Sequence, residues 1–275
     1  MIFLILAGTE DGRLLAEKFQ EKGHQVILST LTEYGKEIAQ EQGLQARSGA
    51  LNEESLRWLL FEKKIEGLID ATHPYAQNIR QIALKVAQDT GTPYFRWERP
   101  VGNYPEDPLI HFAKDLEEAG KLAGKLGKKV FLSTGSRTLA QFMRHEELAE
   151  SELFVRVLPK ADIIKECEEL GLKPYQIVAM QGPFTEKLNQ ALWEQLKIDV
   201  VITKESGAVG GTMEKVQSCL TIGIPIVIWQ RPQSLKLNKE TNPGVKISRG
   251  EGPPEIELQK AFKNFVREVE KSLEY

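Results

Sequence analysis

The segment DVVITKESGAVGGTMEK, residues 199–215, indicates the fold of this chain. Its apolar, β-branched run from Val200 to Ile202 stops at polar residues, and glycines follow. A short run of this kind, bounded by turn residues, is typical of a buried strand. In an open parallel sheet, the loop after a strand lies beyond its carboxyl end, where such folds bind ligands. The segment therefore predicts a strand that leads into a binding loop.

The same arrangement recurs along the chain. Recurrence favours a binding loop over the alternative, a glycine-rich turn with solvated lysines. Comparable polar segments follow four other apolar runs: Gly8-Thr9, Thr72-His73-Pro74, Thr134-Gly135-Ser136-Arg137 and Gln181-Gly182-Pro183. We predict an α/β fold made of two Rossmann-like domains, with mostly parallel sheets and a cleft between them.

Composition limits the classes of function. The chain has 275 residues, 41% apolar and 27% charged, with a net charge of -3. This balance provides no general attraction to nucleic acid, and no apolar run is long enough to span a bilayer. Cys167 and Cys219 lack metal-type spacing, so no metal site is expected. We expect a cytoplasmic protein with neither a nucleic-acid nor a membrane partner.

Turn-rich segments predict the domain boundaries. The segment VGNYPEDP, residues 101–108, is the best candidate linker. We therefore expect a dinucleotide-binding domain over residues 1–100 and a second α/β domain over residues 101–275. Residues 233–253 are polar and are expected to be irregular, and residues 254–273 have the apolar spacing of a terminal helix.

The first thirty residues resemble the opening of a dinucleotide-binding unit, with a strand, a glycine loop, a helix and a second strand. Only Gly8 and Gly12 represent the usual glycine fingerprint. The second strand ends in Ser29 and Thr30, without the carboxylate that usually binds the ribose of NAD. These hydroxyls favour NADPH over NADH, although Glu33 follows closely enough to leave NADH open.

The loop after the strand EGLIDA is predicted to lie near the nicotinamide. His73 would then line the site. The alternative is that His73 and Tyr75 fix the turn and pack beneath it. Hydrolase and phosphate-binding motifs are missing from the sequence, as is the tyrosine–lysine pair of short-chain dehydrogenases. A dinucleotide fold of this kind indicates hydride transfer, in which the cofactor performs the redox step.

Polar side chains of the second half suit an acidic substrate. They are Ser136, Arg137, Gln181, Lys204, Ser206 and Lys215, joined by Arg13 and Arg99 from the first half. Arginine can bind a carboxylate through two nitrogens, and lysine can also donate a proton. Arg137 and Lys204, in strand-end loops, are the strongest candidates.

Several of these segments together resemble the precorrin-6A reductase family, including its cobalt-precorrin-6A members. The segments are AGTEDGR (7–13), DATHPYA (70–76), PYFRWERP (93–100), TGSR (134–137), RVLP (156–159), MQGPF (180–184) with Asn189 after it, TKESGAVGGTMEK (203–215) and IPIVIWQRP (224–232). The first loop departs from the family pattern, since Ala7 replaces a glycine and Asp11 a glutamate.

The resemblance implies that NADPH or NADH reduces one double bond of an anionic tetrapyrrole, giving precorrin-6B or its cobalt form. The residues expected to bind the dinucleotide are Gly8, Thr9, Arg13, Ser29, Thr30, Thr72 and His73. Those expected to bind the tetrapyrrole are Arg99, Ser136, Arg137, Gln181, Ser206, Gly207 and Lys215. Lys204 or a water would deliver the proton.

Two other functions fit part of the sequence. A cofactor-free, two-domain tetrapyrrole synthase or lyase would explain the basic groups but not the first βαβ unit. A non-catalytic NADPH-binding module would explain that unit but would not consume NADPH.

Overall fold

Buried strands alternate with helices in two units of the chain. The computed structural model describes residues 1–8, 10–98, 102–206, 211–232, 245–249 and 256–273. One unit comprises Met1–Pro100 and Gln233–Tyr275, and the other comprises Val101–Pro232. Each unit contains its own parallel sheet, so the predicted α/β class with two Rossmann-like units is confirmed.

The strands are short, as expected for buried parallel sheets. They are β1 (Ile2–Ala7), β2 (Gln25–Ser29), β3 (Gln45–Arg47), β4 (Gly67–Ala71), β5 (Tyr94–Glu98), β6 (Ile110–Ala113), β7 (Lys129–Ser133), β8 (Glu152–Val157), β9 (Ile177–Ala179), β10 (Val200–Lys204), β11 (Ile226–Trp229) and β12 (Val245–Arg249).

The helices follow most strands. They are α1 (Glu10–Glu21), α2 (Glu33–Glu41), α3 (Glu53–Glu62), α4 (Gln77–Thr90), α5 (Leu116–Leu126), α6 (Leu139–Met143), α7 (Ala161–Glu169), α8 (Glu186–Leu196), α9 (Thr212–Ile222) and α10 (Ile256–Leu273). Several begin at side-chain caps that the sequence encodes; Asp115, for example, accepts a hydrogen bond from Glu118 N at 2.8 Å before α5.

The first sheet has the strand order β12-β5-β4-β1-β2-β3, and all its strands are parallel. Read from β3, this is the strand order of dinucleotide-binding sheets, with its switch point between β1 and β4. The registers pair Leu6 with Ser29 and Ala7 with Ala71, so β2, β1 and β4 end at one edge. The loops expected to bind a dinucleotide therefore lie side by side.

The carboxyl-terminal segment belongs to the first unit, so the predicted second domain, residues 101–275, was wrong over its last part. β12 lies in the segment expected to be irregular, and it pairs in parallel with β5. On α10, Phe262 and Phe265 enter the core of the first unit, where Phe262 stacks on Trp97 at 4.6 Å between ring centroids. The domain prediction failed because the pairing of β12 with β5 and the packing of α10 on Trp97 join segments that are far apart in the sequence. The composition of residues 233–253 gives no sign of either contact.

The second sheet repeats the arrangement. Its order is β6-β11-β10-β7-β8-β9, again all parallel. The switch point lies between β7 and β10. From β7 the chain continues to β8 on one side of this point, and from β10 it continues to β11 on the other side. Apolar side chains cover both faces of the sheet: Trp193 of α8 packs on Phe131 of β7 on one face, and Phe142 of α6 belongs to the core on the other. Among the described helices, none is both long and apolar enough to cross a membrane.

Candidate functional site

The glycines of the first loop have two different physical roles. A Cβ on Gly12 would lie 2.3 Å from Cβ of Ala7, so this glycine lets α1 pack directly on β1. A Cβ on Gly8 would meet no atom of the described residues within 4 Å, and Gly8 is exposed. Packing against the described residues does not require a glycine there, whereas close approach of a ligand would. Dinucleotide-binding folds bind the pyrophosphate at a loop that leads into a helix amino terminus, and α1 begins at this position with Glu10 and Asp11 in its first turn.

The hydroxyl groups of Ser29 and Thr30, at the end of β2, form hydrogen bonds within the protein. Thr30 Oγ1 donates to the carbonyl oxygens of Thr32 (3.0 Å) and Arg47 (3.2 Å), and Ser29 Oγ accepts from Arg47 at 2.8 Å. Both residues are about 5% exposed. Arg47 is a cation at this edge, and burial lowers its pKa. Sequence reasoning missed it because a lone arginine on a three-residue strand has no distinguishing pattern.

Asp70 organises the end of β4. It is fully buried and accepts hydrogen bonds from the Thr72 hydroxyl (2.6 Å), the Tyr94 hydroxyl (2.6 Å) and Arg96 (2.6 Å). Arg80 lies 3.8 Å away and donates at 2.9 Å to the carbonyl of Pro74. This paired network fixes the loop that carries Thr72. Burial, followed by repulsion from Asp70, raises the pKa of Tyr94 far above its usual range.

His73 takes part in the turn itself. Its Nδ1 accepts from the backbone N of Tyr75 at 3.4 Å, and the two rings lie 5.6 Å apart. Its carbonyl accepts from Ala76 N at 2.8 Å. These contacts agree with the turn-fixing alternative, while the position beside Thr72 keeps the loop at the edge where a nicotinamide would bind.

In the second unit, the side chain of Lys204 connects the end of β10 to the loop after β7, at the switch point of the sheet. It ends β10, and its Nζ donates to the carbonyl of Thr134 (2.9 Å), just beyond β7, and to Thr138 Oγ1 (3.4 Å). Its ammonium lies 5.1 Å from the ring centre of Trp229. Burial, and then repulsion from exposed Arg137, lower the pKa of Lys204 to about 8. The structure thus brings two predicted loops together through one lysine.

The other predicted substrate residues are more dispersed. Ser136 and Arg137 lie in the 3-10 turn after β7, beside Lys204. Gln181 follows β9, three strand spacings from β10, or about 14 Å. Ser206 is buried, and its hydroxyl lies 3.0 Å from that of Thr212. Ser206 therefore helps to close the loop before α9.

Comparison with known proteins identifies the family. Residues 3–247 match the model of the precorrin-6x reductase family CbiJ/CobK. The chain belongs to this family. It is 38% identical over 239 residues to a cobalt-precorrin-6A reductase of Salmonella typhimurium, covering 86% of this chain and 90% of the relative. Identity to that of Methanothermobacter thermautotrophicus is 37% over 238 residues, covering 85% and 77% respectively.

A solved structure supports the fold of this precorrin-6x reductase family member. The CobK precorrin-6A reductase aligns with a TM-score of 0.74 and 20% identity, covering 99% of this chain and 97% of that one. At this level of identity the match concerns the fold alone.

Two features of this family member escaped the residue-by-residue prediction. Glu205, 2% exposed, accepts from Gly102 N (3.2 Å) and Tyr104 (3.0 Å) and forms an ion pair with Arg231. It thereby ties the residues next to Lys204 to both ends of the second unit. Arg156, on β8, is buried beside Lys215, although only the motif RVLP had marked it.

Three predicted site residues, Thr9, Arg99 and Gly207, lie outside the described residues. Arg13 lies on the first turn of α1, partly buried, and its Nε has no hydrogen-bond partner in the described part of the chain. Within those same ranges, no group of three or more His, Cys, Asp or Glu side chains could hold a metal ion.

Proposed function

We propose that this chain reduces one double bond of cobalt-precorrin-6A, with a reduced nicotinamide as hydride donor, to give cobalt-precorrin-6B. The observation that carries the proposal is the family match over residues 3–247, since it covers both the dinucleotide-type sheet and the lysine at the second switch point. The two reported relatives bear the name of cobalt-precorrin-6A reductase. The cobalt-free ring is the second substrate to assay.

The first unit would hold the cofactor. Gly8 leaves room for a pyrophosphate at the start of α1, and the Asp70 network holds the Thr72 loop rigid one strand away. When bound, the reduced nicotinamide supplies the hydride that adds to one atom of the double bond. Thr72 and His73 are proposed to border the nicotinamide.

Lys204 is proposed to hold the proton that completes the reduction. Its hydrogen bonds to Thr134 and Thr138 fix Nζ at the strand ends, and its pKa of about 8 lies close to a working pH near neutrality. The ammonium gives its proton to the other atom of the double bond and recovers one from solvent. Arg137, beside it, would pair with a carboxylate of the ring.

NADPH is the proposed form of the cofactor. Arg47 lies next to Ser29, at the strand end where dinucleotide folds meet the ribose, and an arginine there can pair with a 2′-phosphate. The carboxylate of Glu33 accepts hydrogen bonds from Ser48 and Lys36, which engage it within the protein.

Arg47→Met tests this preference. A charged hydrogen bond is worth about 1.5–3 kcal/mol, so the variant should bind NADPH about 10- to 100-fold more weakly and NADH almost as well as the parent. Arg57→Met, at an exposed position on α3, is the control. Equal weakening for both dinucleotides would assign Arg47 to folding instead.

The activity itself is tested under anaerobic conditions by following oxidation of NADPH or NADH. The expected result is oxidation that depends on the macrocycle, with formation of the dihydro product. Binding of the dinucleotide without macrocycle-dependent oxidation would refute the proposed reaction.

A further inference from the structure

Arg156 is a buried cation at the carboxyl edge of the second sheet. It is 6% exposed, and its Nη1 donates to Asn189 Oδ1 at 2.7 Å while Nη2 donates to Ser133 Oγ at 3.0 Å. Its guanidinium carbon lies 3.8 Å from the ring centre of Phe184. These contacts hold the guanidinium in one plane between β7 and α8, near the surface where the loops begin.

The charge of Arg156 is not balanced by the described protein. Among the described residues no carboxylate pairs with its guanidinium, and burial alone lowers its pKa to about 10. Lys215 adds a second buried positive charge, and repulsion between the two contributes, after burial, to lowering the pKa of Lys215 to about 7. Glu214 attracts Lys215, so this carboxylate is already engaged with the lysine, and Arg156 is the buried cation that no carboxylate of the described ranges pairs with. Buried charges of this kind are costly unless an anion joins them.

Two further observations favour an anion at this place. Asn189 is 0% exposed, and its Nδ2 donor has no hydrogen-bond partner in the described part of the chain. Nζ of Lys215 lies 3.8 Å from the position that a Cβ of Gly211 would take, at the amino terminus of α9. The positive end of a helix dipole repels a cation but attracts an anion. The Asn189 amide and the Arg156 guanidinium therefore lie together in a buried place with no described acceptor for Asn189 Nδ2, and Lys215 is near enough to Arg156 for charge repulsion.

We propose that Arg156, Lys215, Asn189 and Ser133 form a binding pocket for one carboxylate side chain of the tetrapyrrole. The ligand carboxylate supplies the missing negative charge and accepts from Asn189 Nδ2. Asn189 Oδ1 and Ser133 orient the guanidinium. This inference rests on the proposed function, and it names these residues as the ones that select an acidic ring and set its orientation.

Asn189→Asp is the decisive variant, because it has the same shape and places the anion inside the protein. Its carboxylate would pair with Arg156, so the melting temperature should stay the same or rise. The same charge would repel the carboxylate of the substrate, so the KM for the tetrapyrrole should rise about tenfold or more, with the affinity for NADPH within about twofold. Gln195→Glu, an exposed amide on the same helix, is the matched control.

Each other outcome counts against the pocket. If Asn189→Asp keeps the KM of the parent, the pocket does not bind the substrate. If the variant fails to fold, the excess of positive charge is refuted. If NADPH affinity falls while tetrapyrrole affinity does not, the anion bound there is a cofactor phosphate.

Binding of uroporphyrin, a porphyrin rich in carboxylates, separates this proposal from the proposed reaction. Quenching of tryptophan fluorescence reports its binding without turnover. The parent should bind it, and Asn189→Asp and Arg156→Met should bind it about tenfold more weakly. If this holds for a chain that does not reduce the macrocycle, the pocket stands and the proposed reaction falls. Equal binding by parent and variants overturns the pocket alone.

Discussion

Replacing Lys215 with methionine should stabilise the second unit near neutral pH. Burial is the main reason that the pKa of Lys215 falls from 10.5 to about 7. At about 1.4 kcal/mol per pKa unit, the protonated lysine costs the fold roughly 5 kcal/mol. Methionine keeps an unbranched side chain of similar volume but loses the hydrogen bonds of the amine. We therefore expect a net gain of about 1–3 kcal/mol in the free energy of unfolding.

The gain must depend on pH in one direction. Between about pH 7 and 10.5, the unfolded chain keeps the lysine proton and the folded chain releases it. The free energy of unfolding of the parent therefore rises with pH across this window, relative to the variant. The advantage of Lys215→Met should be largest below about pH 7 and should vanish above pH 10.5.

Thermal and urea unfolding of the full chain at several pH values measure this difference. For a unit of this size, 1 kcal/mol corresponds to about 3–5 °C in melting temperature. Lys165→Met, at an exposed position on α7, is the control and should show no such pH dependence. A variant that melts below the parent at pH 7, or a difference that does not change with pH, would refute the reasoning. The stabilised variant should also bind the tetrapyrrole more weakly.

Two further predictions concern the reaction and the cofactor loop. Lys204→Met should lower kcat about 100-fold or more without changing the affinity for NADPH. In the parent, kcat/KM should fall as pH rises through about 8, because a general acid must be protonated. A kcat of the variant within a few fold of the parent would remove Lys204 from that role. Gly8→Val should keep the melting temperature and weaken dinucleotide binding, whereas Gly12→Val should lower stability by about 1–3 kcal/mol through its clash with Ala7. Unfolding and titration of both variants check this contrast, and equal effects would contradict it.

Local patterns were sufficient to predict the strand-end loops. The run before Lys204 and the run before Thr134 each indicated a strand followed by a polar turn, and the structure has both. That the two loops meet could be expected only from the general geometry of parallel sheets. The particular contact, Nζ of Lys204 on the carbonyl of Thr134, depends on β7 and β10 being neighbours.

Other parts of the candidate site could not be predicted in this way. Arg156 lies in an apolar run, LFVRVL, where a charged residue on a strand can equally face solvent. Its burial follows from the position of β8 beside β7 and from α8 above it, which brings Asn189 to the guanidinium. Arg47 became a candidate for the same kind of reason, through its contact with Ser29.

By itself, the sequence determined the class of fold, the opening strand–loop–helix–strand unit, the strand-end loops and the family, because each depends on residues close together in the chain or on whole motifs. The tertiary structure alone decided that β12 and α10 complete the first unit and that Arg156 and Lys215 share a buried place. Strand order and charge burial join residues that are far apart in sequence, and their free energy arises only when distant segments pack together.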